Sequence, residues 1–350
     1  MRRDIAPIQM LRGIAAAMVV CVHIQLQLSR LGLADVSQNW LLSGVDIFFV
    51  ISGFIMWVSM ANRPERTAGE FMRHRIARIV PLYWLLTTLM VVTMLVRPDL
   101  LQSARFDLGH IIKSYLFIAA PHPTSGKYWP VVVPGWTLNY EMFFYALFAA
   151  AIALSRGSQI RRLIFTAVFL VSAVVVVGLL PQLPGAVRYY GDPILLEFLL
   201  GIVIGCLYVR QVAQPSSKWW TLVAAGFALL YVMSLTSFPR LVSAGLPAAL
   251  ILTGAAFAPN VTIAPLTVLG NASYSLYLSH VITLSALMQV WVALELQFLG
   301  PVVFAVTALA SSVAVGILVY RYVERPVTRI AGAALRPRTA DPVSQAILGP

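Results

Sequence analysis

Ten stretches of this 350-residue chain stay apolar for roughly the 20 residues that a helix needs to cross the hydrocarbon core of a bilayer. They are residues 8–28, 41–61, 80–96, 136–154, 163–180, 193–209, 219–236, 241–258, 270–293 and 299–320. The chain therefore reads as an all-α polytopic membrane protein with about ten transmembrane helices. A composition of 59% hydrophobic and only 11% charged residues excludes a soluble globular domain. The formal charge of +12 would point to nucleic acid in a soluble protein. Here the basic residues sit in short connections between apolar runs, where they set orientation instead, so no nucleic-acid partner is expected.

Arg2 and Arg3 place the N-terminus in the cytoplasm, and ten crossings return the C-terminus to the same side. On that path the clusters Arg63 to Arg78, Arg156 to Arg162 and Arg321 to Arg338 all fall inside, and the outer connections are poorer in Lys and Arg. Residues 1–330 are expected to form one integral-membrane domain, followed by a weakly ordered cytoplasmic tail at 331–350. The N-terminal run superficially resembles a signal peptide, but it is long, is interrupted by Arg12 and lacks a convincing small-residue cleavage site. Cys21 and Cys206 both fall inside spans, which gives no support to a disulfide framework.

Within the first run, IQMLRGIAAAMVVCVHIQLQL, two residues do not belong in lipid. Arg12 and His23 are eleven residues apart, almost three helical turns, so they share a face at a separation of roughly 16 Å along the axis. Two ionisable groups on one stripe indicate a protein-lined or watery cavity; taken singly, Arg12 could snorkel to the inner surface and His23 could be a satisfied core histidine. Counting along the spans puts His23, Asp46, Glu141 and Glu197 near one outer level. Ser273, Tyr277 and His280 share a face of span 9, and Glu141 and Tyr145 lie one turn apart on span 4.

A histidine near a carboxylate is suited to taking a proton from a hydroxyl, with the carboxylate fixing the tautomer. Asp46 and Glu141 are both candidates for that carboxylate, and helix spacing does not choose between them. No His/Asp/Glu pair has compact ligand spacing on one helix, so no metal site is expected. At the inner face, FMRHRIARIVP places Arg75 and Arg78 one turn apart, where two guanidinium forks could hold phosphates or simply act as positive-inside charge. Between spans 3 and 4, residues 97–135 form a long outer connection. Its LGHIIKSYLFIAA stretch suggests an interfacial or re-entrant segment, and PHPTSGKYWPVVVPGW either a rigid cover over a cavity or the approach to span 4.

These motifs together resemble the membrane acyltransferase 3 family, and within it the exopolysaccharide O-acetyltransferase branch. The resemblance is carried by Arg12 and His23 in an R-x10-H pattern and by Arg75-Ile-Ala-Arg78 as RxxR. It continues through GVDIFFVISGF around Asp46, WTLNYEMFFY around Glu141, LLEFLLGIVIG around Glu197, LGNASYSLYLSH ending at His280 and YRYVERP around Glu324. It implies ten helices in the cell inner (cytoplasmic) membrane with both termini cytoplasmic. It also implies transfer of an acyl group, usually acetyl, from cytoplasmic acyl-CoA to a sugar hydroxyl of a polysaccharide or lipid-linked acceptor.

On that basis His23 is expected to be the general base, with Asp46 or Glu141 orienting it and Arg75, Arg78 and Arg12 holding the CoA end. Tyr277, His280, Glu197 and Tyr145 are expected to line the substrate passage. Acyl-CoA (first of all acetyl-CoA) would be a co-substrate and no cofactor would be permanently bound. The bilayer and polysaccharide-assembly proteins are the other candidate partners. Two further readings remain open at the level of sequence: a transporter or flippase for a lipid-linked sugar, and a non-enzymatic partner of a polysaccharide synthase.

Overall fold

The computed structural model describes residues 5–34, 39–98 and 105–335, and its described residues are helical with irregular connections. The helices are α1 (Ala6–Arg30), α2 (Gly44–Ala61), α3 (Ala68–Val96), α4 (Leu108–Tyr115), α5 (Trp136–Ser155), α6 (Gln159–Leu179) and α7 (Gly185–Tyr189). They continue with α8 (Leu195–Val209), α9 (Trp220–Ser234), α10 (Leu246–Phe257), α11 (Ala264–Asn271), α12 (Ser273–Ala293), α13 (Gly300–Val319) and α14 (Arg325–Ala334). Every one of the ten apolar runs coincides with a helix. Among the described residues, seven helical stretches are long and apolar enough to cross a membrane, which makes this a multi-pass membrane protein. The other three runs form shorter helices: α8 and α9 have 15 residues each, and a π-turn at Leu241–Gly245 continues directly into α10.

The bilayer is the solvent this surface is built for. On α6, Ile164, Val168, Val175 and Leu179 are exposed, and on α13 Val302, Val306 and Leu318 are exposed. Apolar side chains in such numbers would be unfavourable against water and are neutral against lipid. α1 is the hub: it packs on α2, α10, α11, α12 and α13, and Ala15, Ala16 and Val20 on it are fully buried. α2 packs on α8 through glycines. A Cβ on Gly53 would come within 2.0 Å of the Phe198 carbonyl oxygen, and one on Gly201 within 1.9 Å of the Val50 carbonyl oxygen. Without a hydrophobic drive between helices in lipid, such close backbone approach is what lets dispersion hold them together.

Three sequence expectations change. Span 3 was expected to begin at residue 80, but α3 starts at Ala68, where Thr67 and Glu70 form a reciprocal capping box. A hydropathy window ends at the first cluster of arginines; backbone hydrogen bonding does not, so Arg73, His74, Arg75 and Arg78 are already helical. In the outer connection, only Leu108–Tyr115 of LGHIIKSYLFIAA is helical. It is fastened to α3 where Tyr83 Oη donates to the Ser114 carbonyl at 3.1 Å and Trp84 Nε1 to the Tyr115 carbonyl at 2.8 Å. At the C-terminus, α14 carries the helix to Ala334, four residues into the segment expected to be weakly ordered; the rest of that tail, from 336, lies outside the described residues.

The polypeptide before α5 runs through the protein interior. Val131 and Val132 are buried, and the Val131 amide donates to Ser114 Oγ at 3.1 Å. Gly135 packs so close to the Tyr83 ring that a Cβ would meet it at 2.6 Å. Because α5 starts among buried residues rather than at a surface, its first two turns lie deeper than counting from the end of an apolar run suggests.

Candidate active site

A cavity of about 1040 Å³ opens between α1, α2, α3, α5 and α12. At one end it is lined by the exposed residues Asn62, Arg63, Gln211 and Gln214. At the other it closes against buried Thr137 and Tyr277. Between them lie all three arginines named from sequence, Arg12, Arg75 and Arg78, together with Glu141 and Tyr145.

Each of these groups is held by a neighbour. The Arg12 Nη1 donates to Gln9 Oε1 at 3.0 Å, one turn back on α1. The Arg75 guanidinium lies 5.8 Å from the Phe71 ring centroid and 5.9 Å from that of Tyr145, and its Nε is buried without a hydrogen-bond partner among the described residues. Glu141 accepts from Ser52 Oγ at 3.1 Å and also from Tyr145 Oη. Glu324 accepts from Ser275 Oγ at 2.5 Å and is within electrostatic reach of Arg78 and Arg12. Of the charged side chains lining the cavity, four are guanidiniums (Arg12, Arg63, Arg75 and Arg78) and one is a carboxylate (Glu141), an excess of positive charge suited to an anionic ligand.

The closed end is built from α12 and the interior segment before α5. Tyr277 Oη donates to the Pro134 carbonyl at 3.1 Å and lies 3.0 Å from Thr137 Oγ1. The Phe48 ring packs on Tyr277 at 5.8 Å between centroids. Of the two sequence readings of PHPTSGKYWPVVVPGW, the geometry matches the approach to span 4: Val133–Gly135 runs directly into α5, and Thr137, just beyond the stretch, lines the cavity. Behind Tyr277, with centroids 6.1 Å apart, is His280. Its ring packs edge-on against His23 at 4.8 Å, with His280 Nε2 3.3 Å from His23 Nδ1. His23 and His280 do not line the cavity; they sit just beyond the tyrosine that closes it.

The expected carboxylate partner of His23 is not where sequence put it. Asp46 forms a two-bond pair with Arg240, Nε to Oδ1 at 2.8 Å and Nη2 to Oδ2 at 2.9 Å. Glu197, fully buried on α8, lies within electrostatic reach of that pair and lines no part of the cavity. Glu141 is committed to Ser52 and Tyr145. Among the described residues, the hydrogen bonds of Asp46 and Glu141 thus go elsewhere than His23, whose Nδ1 faces the Val19 carbonyl at 2.9 Å and His280. The four groups expected at one level fall into three neighbourhoods, because Glu141 enters with a helix that begins inside the protein.

Sequence reasoning missed Arg240, which lies in a short connection with nothing to mark its partner, and the Glu324–Ser275 bond, for which a carboxylate at the end of span 10 was the available signal. It also missed Ser52 and Thr137, hydroxyls that look like ordinary helix residues.

Residues 5–321 match the sequence model of the acyltransferase domain family. The chain belongs to that family. Among curated relatives it is 37% identical over 294 residues to the exopolysaccharide production protein ExoZ of Rhizobium meliloti, covering 82% of this chain and 89% of the relative. It is 27% identical over 371 residues to acyltransferase MdmB of Streptomyces mycarofaciens, covering 95% and 94%. It is 23% identical over 328 residues to O-acetyltransferase OatA of Staphylococcus aureus, covering 82% of this chain and 52% of that longer relative. No solved structure matches the chain. As a member of the acyltransferase domain family the protein is an acyl-transferring enzyme, and both the flippase and the non-enzymatic readings give way.

Proposed function

We propose that this acyltransferase moves an acyl group, first of all acetyl, from cytoplasmic acyl-CoA to a hydroxyl of a cell-surface or exopolysaccharide sugar. In this reading the protein sits in the cell inner membrane with ten crossings and both termini cytoplasmic. The observation that carries the proposal is the single cavity in which Arg12, Arg75 and Arg78 converge and whose far end is Tyr277, next to the His280–His23 pair.

Guanidinium forks suit the phosphates of CoA, and the anionic end would be held by Arg75, Arg78 and Arg12. Arg12 and His23 are separated by roughly 16 Å along α1, comparable with an extended pantetheine arm. The thioester would then have to pass the side chains of Tyr277, Thr137 and Phe48, which separate the cavity from His23. Beyond them His23 takes the proton of the acceptor hydroxyl, whose oxygen attacks the thioester carbonyl carbon. The carbon–sulfur bond breaks, and the departing thiolate takes that proton back from the imidazole. Glu141, with Tyr145 and Ser52, lies in the donor cavity and holds Tyr145 against Arg75. Names of relatives in exopolysaccharide production and O-acetylation support a sugar hydroxyl as acceptor.

The test is to delete the gene and compare O-acyl groups on surface polysaccharides by mass spectrometry. Complementation uses the intact chain and His23→Ala at equal membrane levels. Loss of one ester that only the intact chain restores is the expected result, and the lost mass identifies the acyl group. Full restoration by His23→Ala would remove His23 from the mechanism.

A further inference from the structure

We infer that His280 is the positioning residue of His23, and that the pair holds its protons so that His23 Nε2 is the bare nitrogen offered to the acceptor hydroxyl. This rests on the reading of His23 as the base. The argument is one of hydrogen-bond accounting. In each ring Nδ1 faces a carbonyl one turn back on its own helix: His23 Nδ1 is 2.9 Å from the Val19 oxygen, and His280 Nδ1 is 3.1 Å from the Leu276 oxygen. A carbonyl oxygen only accepts, so both Nδ1 atoms carry hydrogen. A neutral imidazole has one N–H, so both Nε2 atoms are lone pairs. His280 Nε2, 3.3 Å from His23 Nδ1, is therefore the acceptor of a bond that the His23 Nδ1–H shares with the Val19 carbonyl. The opposite assignment would set a bare nitrogen against a carbonyl oxygen in both rings.

His280 thus does for His23 what a buried carboxylate does in a serine-type triad: it fixes the tautomer and the ring plane. It does so without a charge. His280 is fully buried, and a neutral acceptor there avoids the desolvation that an ionised carboxylate would suffer in a membrane interior. During transfer the acceptor proton arrives on His23 Nε2 and leaves from it to the thiolate. The Nδ1–H stays in place throughout, and its bond to His280 Nε2 shortens while the ring is cationic.

Two measurements test this separately from the acyltransferase reading. First, the full chain labelled with 15N-histidine and reconstituted in lipid is examined by solid-state NMR, its five histidines assigned by single His→Gln variants. His23 is expected to show a protonated Nδ1 and a bare Nε2 in contact with His280, and His280→Phe is expected to turn the His23 signal into a tautomer mixture. A proton on His23 Nε2, or an unchanged spectrum in His280→Phe, would overturn the proposal whatever the enzyme acylates.

Second, O-acyl content of surface polysaccharide is compared in a deletion host at equal membrane levels. His280→Phe should lower it about 10- to 100-fold. His280→Gln, whose amide oxygen can accept where Nε2 did, should recover most of that loss. Equal loss in both variants would mean that His280 acts only through packing. If His280→Phe does not accumulate in the membrane, the tautomer of the intact chain and the His280→Gln rescue carry the decision. If His23→Ala is fully active, the base assignment fails while the NMR result still reports the pair.

Discussion

Asp46 and Arg240, 194 residues apart in sequence, meet as a two-bond ion pair in which the carboxylate is 1% exposed and the guanidinium 44%. The pair fastens the first turn of α2 to the turn before α10, beside the buried carboxyl of Glu197. Removing only the cation leaves Asp46 buried without its partner. Arg240→Ala is expected to destabilise the protein by roughly 3 kcal/mol, read as a lower melting temperature in detergent. Adding Asp46→Asn should return a large part of that loss. Equal melting of the single and double variants would show that the pair contributes nothing.

The α2–α8 contact predicts a steric effect. Gly201→Ala must push the Val50 carbonyl aside, and overpacking of this kind costs about 1–3 kcal/mol. Gly69 on α3 has open space where a Cβ would go, so Gly69→Ala is the matched control and should not destabilise. Equal thermal stability of the two variants would contradict the close helix approach.

In the outer connection His110 and His122 pack edge-on with centroids 5.4 Å apart. Burial holds both imidazoles below the ordinary 6.5, and for His110 the neighbouring His122 adds to the effect. Their contribution to the folded connection is thus fully present above about pH 6.5 and is lost as the pH falls through the lowered folded values, since the opened chain binds protons more readily. Amide hydrogen exchange in residues 105–135, corrected for intrinsic rate, should be faster at pH 5.5 than at 7.5. The double variant His110→Phe, His122→Gln should remove that difference. A persistent difference would assign the pH response to other groups.

The donor cavity predicts a charge-dependent affinity. Arg75 is half-buried and Arg78 exposed within the cavity lining, and a hydrogen bond from a guanidinium to a charged group is worth about 1.5–3 kcal/mol. Arg75→Gln and Arg78→Gln should therefore each weaken coenzyme A binding by roughly tenfold or more, measured by calorimetry on the protein in nanodiscs. Binding of acetylated pantetheine, which has no phosphates, should hardly change. Equal losses for both ligands would place the two arginines outside the phosphate site.

Much of the fold could be read from the chain itself. All ten apolar runs became helices because hydrocarbon length and backbone satisfaction leave a polar chain no other option. The candidate residues were also visible one by one, since an arginine, histidine or carboxylate inside such a run needs a reason to be there. Arg12, Arg75, Arg78, Glu141, Tyr145 and Tyr277 do share one cavity. The depth of Glu141 was not legible, because the buried Val131–Gly135 segment carries the start of α5 into the interior and no window of hydropathy records that.

Sequence alone, then, determined that the chain spans a membrane, which segments are helical and which polar residues lie among them; these follow from local composition and helix period. Only the tertiary structure decided who pairs with whom. His23 meets His280 across 257 residues and Asp46 meets Arg240 across 194. A helix period specifies the face on which a side chain lies but not the helix that packs against that face. The physical reason is that partner choice depends on the close approach of whole helices, and that information is spread over the bundle rather than held in any one segment.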